Sequence, residues 1–156
     1  MKKILAVITV AAITLVAGTA MAKDMNELTV KAEVTGTCMF SSGNSTLDFG
    51  TIDPSGTTDA TGQAKISYWC TKGVTTSKIV TDDGDHVSGG MKRMQNTATN
   101  TEFLPYELAL THPAASFNNG PDTPLELTVD GKITSTNYRT AAAGSYQDIV
   151  EISIEP

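Results

Sequence analysis

Downstream of residue 22 the sequence carries no apolar stripe at helical spacing. Its apolar residues instead alternate with polar ones, one by one, in several short runs. Side chains of an extended chain point to opposite faces in turn, so each run reads as a strand with one buried and one wet face. Ala64, Ile66, Tyr68 and Cys70 share a face against Lys65, Ser67, Trp69 and Thr71. Leu104, Tyr106, Leu108 and Leu110 oppose Glu107 and Thr111, and Leu125, Leu127 and Val129 oppose Glu126, Thr128 and Asp130. The last run sets Val150, Ile152 and Ile154 against Glu151, Ser153 and Glu155. Weaker runs are expected as strands at 47–52, with Gly50 as a bulge, at 75–81 and at 133–138. Turn-forming sequences separate the runs: Asp53-Pro54-Ser55-Gly56, Asp82-Asp83-Gly84, Asn118-Asn119-Gly120-Pro121 and Asp130-Gly131, the last reading as a two-residue hairpin turn. About seven strands in a chain of this length predict an all-β, antiparallel sandwich of immunoglobulin-like size.

The first residues set the compartment. Lys2 and Lys3 precede an apolar run from Ile4 to Val16, and Ala20-Met21-Ala22 closes the segment with small residues. Residues 1–22 therefore read as a secretory signal peptide, with Lys23 as the new N-terminus after cleavage. An uncleaved anchor is the alternative, although the apolar run is short for a membrane span and no second one follows, so the mature chain is expected to have no transmembrane anchor. The whole chain carries 11 basic against 17 acidic residues, a net charge of −6 that becomes −8 without Lys2 and Lys3. Such an acidic chain lacks the clustered cations that nucleic acid or anionic lipid would demand. In an oxidising compartment Cys38 and Cys70 can pair in only one way, and a structural disulfide there would contribute about 3–4 kcal/mol. A catalytic or metal-binding pair is the other reading; no His stands near either cysteine in sequence.

One run does not belong to a self-sufficient sandwich. Leu28, Val30, Ala32 and Val34 alternate with Thr29, Lys31, Glu33 and Thr35 just after the cleavage site. This is an extra strand at the front, while the run ending at Pro156 is expected to leave a free edge behind it. An uncovered apolar edge is an aggregation hazard. Donation of the front strand of one molecule to the edge of another resolves both features. From alternation alone, the other reading of residues 26–35 is the first strand of an ordinary monomeric sandwich.

No catalytic, metal or cofactor site is expected. Asp82-Asp83-Gly84-Asp85-His86 lacks the order and the closing Glu of a calcium loop and reads as a solvated turn. His112 beside Pro113 has no nucleophile motif to serve, Lys92 and Arg93 make only a two-charge patch, and Trp69 points away from the face of Tyr68. An enzyme is the least favoured class.

In order and spacing the sequence resembles the archaic chaperone–usher pilins, whose subunit domain is grouped with spore coat protein U. The resemblance rests on 28–34 leading to Cys38, then Leu47-Asp48-Phe49-Gly50-Thr51, Ile66-Ser67-Tyr68-Trp69-Cys70-Thr71-Lys72-Gly73 and Leu104-Pro105-Tyr106-Glu107-Leu108. It is completed by Ala143-Gly144-Ser145-Tyr146-Gln147-Asp148-Ile149-Val150-Glu151-Ile152-Ser153-Ile154, similar to the family's closing Gly-x-Tyr-x-Asp-x-Val strand. Residues 82–115 match least. The resemblance implies an incomplete immunoglobulin-like domain over 37–156 preceded by a donor segment over 23–36. It implies that a periplasmic chaperone lends the missing strand and that copies of this chain or related pilins polymerise at an outer-membrane usher into a surface pilus. It also implies that Cys38 and Cys70 join the first two strands, that Leu28, Val30, Ala32 and Val34 are the donor, and that Val150, Ile152 and Ile154 belong to the accepting edge. A secreted binding module, whether tip adhesin or lectin-like domain, and a spore-type coat protein are the alternatives.

Overall fold

The computed structural model describes residues 23–74, 78–113 and 120–155. The expected leader, residues 1–22, lies outside the described residues. The chain divides after Glu33 into two units. In the first, residues 23–33 form no strand or helix, and Leu28 and Val30 are more than 80% exposed (84% and 83%).

Among the described residues, the regular structure of the second unit is antiparallel β apart from one helical turn. In chain order its elements are β1 (Cys38–Phe40), β2 (Ala60–Cys70), β3 (Lys78–Thr81), β4 (Lys92–Asn96), β5 (Phe103–Thr111) and β6 (Leu125–Ile133). The helical turn α1 (Ser135–Tyr138), β7 (Tyr146–Gln147) and β8 (Ile152–Glu155) complete it. A six-stranded sheet has the order β1-β2-β6-β5-β4-β7, and β3 pairs with β8 in a second, two-stranded sheet. The large sheet curls because β5 changes partner along its length. Phe103 to Tyr106 pair with β4, and Glu107 to Thr111 pair with β6.

Alternation places the core. Along β2, Ala64, Ile66, Tyr68 and Cys70 are buried; the first three, with Leu127 and Val129 of β6 and Ile79 of β3, form one apolar cluster, against which Ile152 and Ile154 of β8 pack. A second cluster gathers Leu104, Tyr106, Ile133 and Tyr138. The opposite face of the large sheet is charged and wet: Lys65 pairs with Glu126 at 2.7 Å and Lys132 with Glu107 at 2.9 Å. Cys38 and Cys70 are joined by a disulfide at facing register positions of β1 and β2, with Cα atoms 4.0 Å apart.

Several local expectations are overturned. Asp130-Gly131 is not a turn; β6 runs straight through it, and Gly131 lies opposite Gly62 of β2. A Cβ on Gly131 would stand 2.7 Å from Phe49 Cζ and 2.8 Å from Leu47 Cδ2, so glycine serves close packing here, not chain reversal. The strand expected over 133–138 stops at Ile133, and the polar run that follows makes α1, whose first N–H is capped by Asp59 Oδ1 at 2.9 Å. The weak run at 75–81 is strand only over Lys78–Thr81, residues 75–77 lying outside the described residues. Residues 47–52 keep the expected parity, Leu47 and Phe49 half-buried and Asp48 and Gly50 exposed, but belong to no strand. Gly50 is a turn residue at φ 67°, its N–H bonded to Asp48 Oδ1 at 2.8 Å, and not a bulge.

Candidate functional site

The missing ladder at 47–52 marks one wall of a groove. The second wall is the chain from Ser145 to Ile152, and between the walls opens a cleft of about 1010 Å³. Its floor is the inner face of the large sheet: Ala64 and Ile66 of β2, Val129 of β6, Tyr106 and Leu108 of β5 and Met94 of β4. Leu47 and Phe49 line one side, Val150 and Ile152 the other. An elongated apolar floor between two extended segments has the form of a slot for a further strand.

The walls differ in how they are held. Among the described residues, no ladder pairs the backbone of 42–52, which is attached at its ends by Ser41 N–H to Ser67 C=O (2.8 Å) and by the turn that Gly56 N–H closes on Asp53 C=O (3.0 Å). That turn is the one expected, tightened by Ser55 N–H and Oγ bonding Asp53 Oδ1, which holds the Asp53 carboxyl below its usual range. The second wall is fastened on its side away from the groove. Beyond the β3–β8 ladder, Asp82 N–H donates to Glu151 C=O at 2.9 Å, Asp85 N–H to Ile149 C=O at 3.2 Å, and Glu151 N–H to Asp82 Oδ1 at 3.0 Å.

A buried polar cluster pins the same wall to the floor. The Asp148 side chain is 2% exposed, accepts the Tyr106 hydroxyl at 2.6 Å on Oδ2 and meets His86 Nδ1 at 2.9 Å on Oδ1. Burial, and then the Asp148 carboxylate, push the Tyr106 hydroxyl well above the ordinary tyrosine range. Arg93 donates from Nε to His86 C=O at 2.9 Å and lies over the Phe103 ring, 4.2 Å from its centroid. The Asp82–His86 segment is therefore more than a solvated turn. Asp82, Asp83 and Asp85 are exposed, but the segment's backbone and His86 brace the groove, because the buried Asp148 carboxylate needs donors that distant residues supply.

The structure divides the residues expected at the site. Val150 and Ile152 line the groove; Ile154 does not, packing instead in the core opposite Ile79. Val150 precedes β8, which begins at Ile152. Leu28, Val30 and Ala32 lie in the first unit, exposed and outside any strand, and Val34 is exposed at the start of the second. Tyr106, Asp148 and His86 escaped sequence reasoning as a set, since 62 positions separate His86 from Asp148. Leu47 and Phe49 did carry a signal, their alternation.

A family model described as Spore Coat Protein U domain matches residues 24–153. The chain belongs to the Spore Coat Protein U domain family. The match takes in the alternating run at 28–34, both cysteines, the floor and both walls. No curated protein matches the chain. The Spore Coat Protein U domain family is one of structural subunits, not of enzymes, so this chain is a structural subunit of the pilus or coat type. Among the described residues no helix is long and apolar enough to cross a membrane.

Proposed function

We infer that the chain is a pilus subunit that polymerises by strand donation, with residues 28–34 of one copy lying in the groove of the next. The observation that carries this reading is the groove itself, whose apolar floor is bounded by a wall without a ladder partner. Its occupant must present apolar side chains on one face and backbone donors and acceptors along its edges. Leu28, Val30, Ala32 and Val34 present such a face, and in the described chain they pair with no strand of their own sheet. Burying Leu28, Val30 and Val34 contributes about 1.5–3 kcal/mol each, and each ladder hydrogen bond about 1 kcal/mol more. A joint of this kind opens only by disrupting a core, so the polymer dissociates slowly.

In this reading residues 1–22 direct export and residues 23–36 are the donor segment. Residues 37–156 are the acceptor domain, with Val150 and Ile152 on the accepting edge. Before assembly a periplasmic chaperone lends a strand to the groove, and an outer-membrane usher exchanges that strand for the neighbour's donor as the fibre reaches the cell surface. The mature chain, purified with its chaperone and then released, gives ladders of multimers on unboiled gels. Val30→Asp places a charge on the buried face of the donor and leaves monomer. A wild-type chain that stays monomeric and stable after release contradicts strand donation.

A further inference from the structure

The strand a subunit gives and the groove in which it receives are built from neighbouring lengths of one chain. Residues 28–34 lead directly into β1, and residues 42–49, the first wall of the groove, follow β1 directly. Tension applied to the donor therefore reaches β1 first and this wall next. β1 is short: its register with β2 comprises Cys38↔Cys70, Met39↔Trp69 and Phe40↔Tyr68, extended by Thr71 N–H to Thr37 C=O and Ser41 N–H to Ser67 C=O, each 2.8 Å. Hydrogen bonds of about 1 kcal/mol each, broken one at a time, resist peeling weakly. Past Ser41 the wall has no ladder to stop the peel. A subunit pulled by its own donor would thus lose the wall that holds its neighbour's.

The disulfide interrupts that sequence of events. Cys38 is the first residue of β1, and its bond reaches Cys70, the last residue of β2. β2 pairs with β6 continuously from Ala60↔Ile133 to Tyr68↔Leu125. The sheet continues through β5 and β4 to β7, which is itself part of the second wall. We propose that the Cys38–Cys70 disulfide is a mechanical shunt, which passes tension from the donor strand into β2 and keeps it out of residues 39–52. This rests on strand donation as read above. The covalent link sits at the point where load enters the domain, and the sheet then shares that load across many hydrogen bonds strained together.

The test pulls single fibres in an optical trap, before and after dithiothreitol, with thiol labelling of the denatured chain to verify reduction. Because Cys70 is fully buried, fibres of the Cys38→Ser, Cys70→Ser double variant serve as a second arm. Oxidised fibres part by withdrawal of donor strands, with no prior lengthening of subunits. Reduced or double-variant fibres, still intact at rest, lengthen by up to about 7 nm per subunit as residues 38–59 pay out at roughly 3.3 Å per residue, and part at severalfold lower force. Unchanged force and length after verified reduction overturn the shunt. So does dissolution of unloaded fibres on reduction, which makes the bond a requirement of the resting fold. Failure of the oxidised chain to form fibres shows itself on gels before any pulling, and overturns strand donation and the shunt together.

Discussion

Gly62 and Gly131 face each other across the β2–β6 ladder, under the wall that carries Leu47 and Phe49. Neither has a positive φ; what glycine provides at both positions is the absence of a Cβ, which lets the wall settle onto the sheet. The two positions differ in what a methyl group would strike. At Gly62 it would stand 2.9 Å from the Asp48 carbonyl oxygen as well as 2.8 Å from Leu47 Cδ2, so the wall's backbone must move. At Gly131 the atoms met are the ends of Phe49 and Leu47, which can swing. Gly62→Ala accordingly costs about 1–3 kcal/mol, measured as a lower denaturant midpoint, and Gly131→Ala costs less. Because Leu47 and Phe49 also line the groove, Gly131→Ala slows multimer formation more than its stability loss accounts for. Equal stability losses at the two positions would contradict this packing.

Among the elements, the segment joining β7 to β8 is fixed to β5 by the Tyr106–Asp148 hydrogen bond. Tyr106→Phe leaves one oxygen of a buried carboxylate without its donor and destabilises the domain by about 1–3 kcal/mol at neutral pH. The same bond gives alkaline solutions a signature. Tyr106 is held above the ordinary tyrosine value of 10.0, so past that pH the unfolded chain releases a proton that the folded chain retains. Unfolding is thereby favoured, and stability falls as pH rises beyond about 10. Urea melts of the two proteins from neutral to alkaline pH show a shallower fall in Tyr106→Phe; parallel curves would contradict the assignment. The sequence made β2, β5, β6 and β8 legible because each has one wet face, so alternation and burial coincide. It misled where one short pattern serves two purposes: Asp130-Gly131 suits a hairpin as well as a close-packed ladder, and the polar run after Ile133 suits a strand end as well as a helical turn. The brace of Asp148 by Tyr106 and His86 was beyond reach, since it exists only once β4, β5 and the final segment are folded together.

At the scale of the whole molecule, strand donation as proposed makes the alternating run at 28–34 and the groove complementary halves of one joint. The sequence offered the alternating run at 28–34 by its periodicity, and of the groove it offered Val150 and Ile152, which line it. Whose groove the run enters could not be read there, because strand periodicity carries no information about the partner sheet. The Spore Coat Protein U domain family places the chain among structural subunits, and under the proposed strand donation the groove is the means of that role. The most direct measurement refolds the chain without residues 1–33, with and without a synthetic peptide of residues 26–36, and follows thermal unfolding. Strand donation predicts a one-to-one complex whose unfolding midpoint rises with peptide concentration, as any ligand of the folded state requires, and a Val30→Asp peptide that leaves the midpoint unmoved. A shortened chain that neither binds the peptide nor gains stability from it would contradict the account.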